Sequence, residues 1–107
     1  MADKIRVISK RPGCPPRSVW VTNTLENLQT AVGGYIETFT FAADMCVVCN
    51  EEGRLLDLPY NCTIAGVDFV GDILLVGIKG EEFADLPVDF QTMKRLFRHL
   101  WEVGGDA

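Results

Sequence analysis

Two short signatures, Val32-Gly33-Gly34-Tyr35-Ile36-Glu37 and Cys49-Asn50-Glu51-Glu52-Gly53, set the fold of this chain, because each one stops an element and starts the next. Glycine and asparagine at those points allow backbone turns that ordinary residues resist. Proline does the same work at Arg11-Pro12-Gly13-Cys14-Pro15-Pro16 and at Leu58-Pro59-Tyr60-Asn61, which both read as loops.

Between these breaks the runs are β-prone. Lys4 to Ser9 alternates as a half-buried strand does and Ser18 to Thr22 answers it, so the first 22 residues predict a hairpin. Asn23, with Glu26 three residues on, predicts a capped helix start; Leu25, Leu28 and Val32 share a face, and Gly33 suits the left-handed end. Tyr35 to Phe41 predicts a strand that turns Tyr35, Glu37, Phe39 and Phe41 toward the core. Met45 to Cys49 is nearly continuously apolar, the mark of a central strand. Asn50 to Gly53 predicts a hairpin loop with Gly53 at positive φ, returning through Arg54-Leu55-Leu56. Val67 to Ile78 predicts a strand pair or one bent strand, with Gly71 and Gly77 at bulges or turns. Pro87 suits the first turn of a last helix whose apolar face is Phe90, Met93, Phe97, Leu100 and Trp101, followed by a fraying tail from Gly104 to Ala107. The expected class is α+β: an antiparallel sheet of about five or six strands with two helices packed on one face.

Residues 1–107 are one domain's worth of chain, and 48% hydrophobic with 23% charged is a globular composition rather than a disordered one. No apolar run approaches the ~18 residues a membrane span needs, and Met1-Ala2-Asp3-Lys4 lacks a signal-peptide core, so the expected setting is the cytoplasm. A net charge of −5 argues against direct binding to DNA or RNA through the phosphate backbone. The charge is uneven. Lys4, Arg6, Lys10, Arg11 and Arg17 face only Asp3 in residues 1–17, whereas Arg54 and Lys79 are the only bases between 18 and 93. A basic edge beside an acidic face could hold a small anion.

Cys14, Cys46, Cys49 and Cys62 raise the question of zinc. Cys46-Val47-Val48-Cys49 is a run of β-formers that sends its two cysteines to opposite faces, so no metal site is expected and the cysteines read as buried apolar residues. Enzyme chemistry is equally hard to assemble. His99 lies among basic residues of the last helix with only Glu102 nearby, no nucleophile elbow, phosphate loop or HExxH occurs, and Glu51-Glu52 and Glu81-Glu82 read as solvated pairs. No cofactor is implied, and a binding protein is the expected class.

The helix opening Leu25-Glu26-Asn27-Leu28-Gln29, the Gly33-Gly34-Tyr35-Ile36-Glu37 strand start, the Asn50-Glu51-Glu52-Gly53 turn, Leu58-Pro59-Tyr60-Asn61 and the later Leu75-Val76-Gly77 occur in one order and spacing. Over residues 4 to 97 the chain thereby resembles a small domain-of-unknown-function family carried by phages and conjugative elements of Gram-positive gut bacteria. It departs from that pattern in the short stretch after Asn61, which would alter any binding surface built there.

The resemblance implies a counter-defence setting, with two competing mechanisms. The first is sequestration of a nucleotide-derived immune signal of the cyclic ADP-ribose type. Such a ligand needs cations for phosphates, an aromatic platform for the base, and acids or amides for ribose hydroxyls. Arg6, Arg17, Trp20, Tyr35, Asn50, Glu52, Tyr60 and Asn61 supply those groups if the basic hairpin lies near the two loops or meets them across a dimer interface, so a homo-oligomer is expected. The second is an acidic inhibitor that binds a host defence protein, occupying a nuclease's nucleic-acid surface in the manner of antirestriction and anti-CRISPR proteins.

Overall fold

The computed structural model describes residues 3–96, in which eight strands and two helices follow one another: β1 (Lys4–Lys10), β2 (Arg17–Thr22), α1 (Leu25–Val32), β3 (Ile36–Ala42), β4 (Met45–Asn50), β5 (Tyr60–Ile64), β6 (Val67–Val70), β7 (Ile73–Lys79), β8 (Glu82–Ala84) and α2 (Phe90–Leu96). Six strands form an antiparallel sheet in the order β2-β1-β7-β4-β3, with β8 also paired to β7, and β5-β6 form a hairpin of their own. The α+β class and the six-stranded sheet match the expectation.

Strand alternation gives the sheet two apolar faces. Ile5, Val7, Cys46, Val48, Leu74 and Val76 point one way and bury Leu28 and Val32 of α1. Ile8, Met45, Val47, Ile73 and Leu75 point the other way, against Cys62, Ile64 and Phe69 of the β5-β6 hairpin and Leu86 and Met93. The helices therefore bury into opposite faces of the sheet rather than packing on one. The reason lies in β4 and β7, which are apolar on both sides, so both sides need cover. Phe39 and Phe41 do turn toward the hairpin side, with the Phe39 ring edge-on to Phe69 at 5.8 Å between centroids. Tyr35, just before the strand, stays 63% exposed.

Several local expectations give way to tertiary partners. Thr24, not Asn23, caps α1 by accepting from the Asn27 N–H at 3.2 Å, while Asn23 Nδ2 donates across to the Phe83 carbonyl at 3.0 Å. Gly33 ends the helix at φ 80 as expected. Residues 54–56 form no strand, because the chain after Asn50 coils into one helical turn. There the Asp57 N–H bonds to Arg54 O at 3.1 Å and the Leu58 N–H to Gly53 O at 3.0 Å, a Schellman closure with Asp57, not Gly53, at positive φ. Tyr60 and Asn61 belong to β5 rather than to a loop. Gly71 (φ 72) makes the turn between β6 and β7, which lie in different sheets. Gly77 is no turn; it lies within β7, where a Cβ would run into the Asp85 carbonyl oxygen. Pro87 precedes α2, whose first turn is capped by Asp89 Oδ1 accepting from the Thr92 N–H at 2.7 Å. The expectations for Phe97, His99, Leu100, Trp101 and the tail fall outside the described residues.

Candidate functional site

One end of the sheet collects the irregular segments. The registers Ser9↔Arg17, Lys10↔Ile73 and Ile36↔Asn50 bring the beginnings of β2, β7 and β3 level with the ends of β1 and β4. The loops at 11–16, 33–35, 51–59 and 71–72 therefore share that end, spread over about 19 Å from β2 to β3 at ~4.8 Å per strand.

These loops enclose a furrow around the C-terminal end of α1. Its larger part is a hollow of about 470 Å³ walled by Arg11 and Cys14, by Thr30 to Gly33, by Leu58 and Pro59, and by Gly71 and Asp72. A second hollow of about 340 Å³, lined by Gln29, Gly34, Tyr35 and Glu52, shares Gly33, Asn50 and Leu56 with the first, so the two form one depression. Asn50 is its floor. It is 7% exposed, its Nδ2 donates to the Val32 carbonyl at 3.2 Å, and its Oδ1 accepts from the Glu52 N–H at 2.8 Å. One amide thus ties the helix end to the 51–57 turn. Gly34 is required beside it, since a Cβ there would lie 2.9 Å from Asn50 Nδ2.

The electrostatics of the furrow are graded. Arg11 stands at one end, paired with Asp72 at 3.8 Å across largely exposed side chains, a contact worth about 0.2–1 kcal/mol and readily exchanged. The negative end of the α1 dipole faces the middle, where it favours hydroxyl or cationic donors over phosphate. Exposed Tyr35 and Glu52 stand at the far end, and the Tyr35 carbonyl accepts from the Glu51 N–H at 2.8 Å.

Of the eight residues singled out in the sequence, Tyr35, Asn50 and Glu52 line this furrow. Asn61 lies behind its wall. At 1% exposure its Nδ2 donates to the Lys10 carbonyl at 2.8 Å and the Gly71 carbonyl at 2.7 Å, holding in place the segments that carry Arg11 and Asp72, while its Oδ1 is buried without a partner. Tyr60 is engaged elsewhere. Thr63 Oγ1 donates to Asp68 Oδ1 at 2.6 Å, so the Tyr60 hydroxyl, 2.6 Å from Thr63 Oγ1, is the donor in a three-residue relay. Arg17 reaches the same sheet end but at its outer edge. Arg6 and Trp20 face each other mid-strand, away from the furrow. The Arg6 guanidinium donates to the Leu86 and Val88 carbonyls at 3.0 and 3.2 Å, a structural clamp on the segment before α2. Within one chain the eight residues do not form a single site. Arg11, Gln29, Leu56 and Leu58 are furrow residues that the sequence reading missed. Only Arg11 carried a usable signal, a base fixed in a stiff proline loop.

Cys46 and Cys49 pack into opposite faces of β4 and share no common point in space. Burial pushes the thiols of Cys46 and Cys62 up to about 11 each, so both are protonated at neutral pH. No cluster of three or more His, Cys, Asp or Glu able to hold a metal ion occurs among the described residues, and no helix there is long and apolar enough to cross a membrane.

Comparison with curated proteins and with solved structures finds no match for the chain. The elements that wall the furrow all fall inside residues 5–100, which match the family described as Domain of unknown function (DUF3846), and the chain belongs to that family.

Proposed function

We propose that this protein is a non-catalytic binding protein that sequesters a nucleotide-derived signal of the cyclic ADP-ribose type, serving a phage or mobile element against its bacterial host. The observation that supports the reading is the graded furrow, whose two hollows of about 470 and 340 Å³ fall in the range of small-molecule sites. A ligand of this class would lay its phosphates against Arg11 and direct ribose hydroxyls at Glu52, Gln29 and the α1 terminus. Its base would stack on Tyr35. The test is calorimetric titration of the purified protein with cyclic and linear ADP-ribose-type nucleotides. The expected result is saturable binding that Arg11→Ala, Tyr35→Ala and Glu52→Gln each weaken at least tenfold while melting at the parent temperature. Absence of heat with every member of the panel rejects the reading.

A second reading, an acidic inhibitor of a host nuclease, draws on a different observation. Every acidic residue of the described chain except Asp72 is exposed, and the 51–57 turn sets Leu55, 84% exposed, beside Glu51, Glu52 and Asp57. Apolar knuckles ringed by acids fit a partner with a basic cleft. Charge reversal at Glu51 and Glu52 together, with salt titration of nuclease inhibition, separates it from the first: a broad acidic contact weakens steeply with ionic strength.

A further inference from the structure

We propose that β2 is the seam of a two-fold dimer, in which the β2 strands of two copies pair antiparallel about Trp20 and join their sheets into one. The inference is independent of the furrow. It starts from an unfinished edge: among the described residues β2 pairs with β1 alone, so one row of its backbone groups has no strand partner.

Which groups point outward follows from the register. The Asn23 N–H donates to the Asp3 carbonyl at 2.8 Å, and bonded positions recur every second residue in an antiparallel pair. Val21, Val19 and Arg17 therefore turn toward β1, and Ser18, Trp20 and Thr22 turn their backbone groups outward, the Thr22 carbonyl already accepting from the Thr24 N–H at 2.8 Å with its second lone pair left for a partner strand. The strand reads Ser18-Val19-Trp20-Val21-Thr22, nearly the same in both directions. With a two-fold axis at Trp20, Ser18 meets the second copy's Thr22, Trp20 meets its own counterpart, and Thr22 meets Ser18. Those are the three outward-facing positions, so the hydrogen-bond parity is satisfied without a slip. Val19 meets Val21 twice, extending the half-buried apolar row under α1, and Trp20, 63% exposed, gains an aromatic partner on the other face.

Charge fits the same register. No charged side chain occurs between Ser18 and Thr22. Arg17 of each copy enters the row of the second copy's Asn23 and Asp3, a cation directed at an exposed acid on each side of the axis. The opposite edge of the sheet is guarded. β3 carries exposed Glu37 mid-strand and a bulge between Thr40 and Ala42, devices that blunt an edge, whereas β2 has no bulge and its single charge, Arg17, stands at the first position of the strand. An isologous contact at one edge alone closes as a dimer instead of growing into a fibre.

The test is sedimentation of the full chain from low-micromolar to near-millimolar concentration. A monomer–dimer equilibrium is expected, abolished by Trp20→Lys and by Ser18→Lys, each of which melts like the parent at dilutions where all are monomers. In a Cys14→Ser background, Trp20→Cys should give a disulfide-linked dimer on air oxidation, because a hydrogen-bonded pair separates its Cα atoms by about 5.5 Å, inside the disulfide range. A monomer at every concentration overturns the proposal. So does a dimer that survives both lysine variants, a Trp20→Cys dimer that never cross-links, or a ladder of higher oligomers.

Discussion

Asn61 spends both amide hydrogens on the Lys10 and Gly71 carbonyls and leaves its oxygen buried and unpaired, so its net value depends on which atoms replace it. Asn61→Ala strands the two carbonyls and should cost about 1–3 kcal/mol. Asn61→Asp should cost more at neutral pH, since a carboxylate would only accept where two carbonyl oxygens also only accept; urea melts of the two variants check the order. Asparagine at 61 looked like a loop or ligand residue in the sequence because nothing local announces carbonyls from residues 10 and 71. Thiol chemistry offers a second residue-scale test. Cys14 is exposed on the furrow rim, while burial holds the Cys46 and Cys62 thiols up at about 11. Alkylation at neutral pH should modify Cys14 rapidly and spare Cys46 and Cys62 until denaturant is added, as peptide mapping would read directly.

Elements show where pattern reasoning succeeds. α1 was legible because Leu28 and Val32 repeat at helical spacing and Gly33 ends them, and both side chains do bury against the sheet. Leu28→Ala should lower stability by about 2–5 kcal/mol, against about 1 kcal/mol for removal of the cap by Thr24→Ala. The turn at 52–57 and β8 were not legible. The first is closed by bonds to carbonyls three and five residues back that a Gly-containing hairpin would equally well have allowed, and β8 is three residues long and exists because β1 pairs with β7 only at 73–75, leaving the β7 edge at 77–79 for residues 82–84. Gly77 belongs to the same junction: Gly77→Ala would force its methyl into the Asp85 carbonyl and should cost at least about 1–3 kcal/mol. α2 gives a pH prediction. The Thr92 backbone N–H, ahead of smaller contributions, holds the Asp89 carboxyl below the usual carboxylate range. Because its folded value lies below the unfolded one, this contribution is present above about pH 4 and is lost as pH falls through the folded value. Asp89→Asn should therefore melt below the parent at neutral pH, with the gap closing in acid.

At the scale of the whole molecule, the sheet is the organiser: its two apolar faces recruit α1 on one side and the β5-β6 hairpin with Met93 on the other. The same sheet end that gathers the loops builds the furrow, and the free β2 edge lies at its side. If both proposals hold, ligand binding should be unaltered by Trp20→Lys, which calorimetry on the monomeric variant would show. Local sequence was enough for the β1-β2 hairpin, for α1 with its stop at Gly33 and for the interior position of β4. Those rest on periodicity and glycine within a few residues. Long-range packing inserts β7, from the far end of the chain, between β1 and β4 and sets the helices on opposite faces. It alone separated Arg6 and Trp20 from Tyr35, Asn50 and Glu52 and put Arg11 at the furrow in their place. Strand order and loop convergence arise from contacts between residues tens of positions apart, and side-chain periodicity carries no information about which distant edge a strand will join.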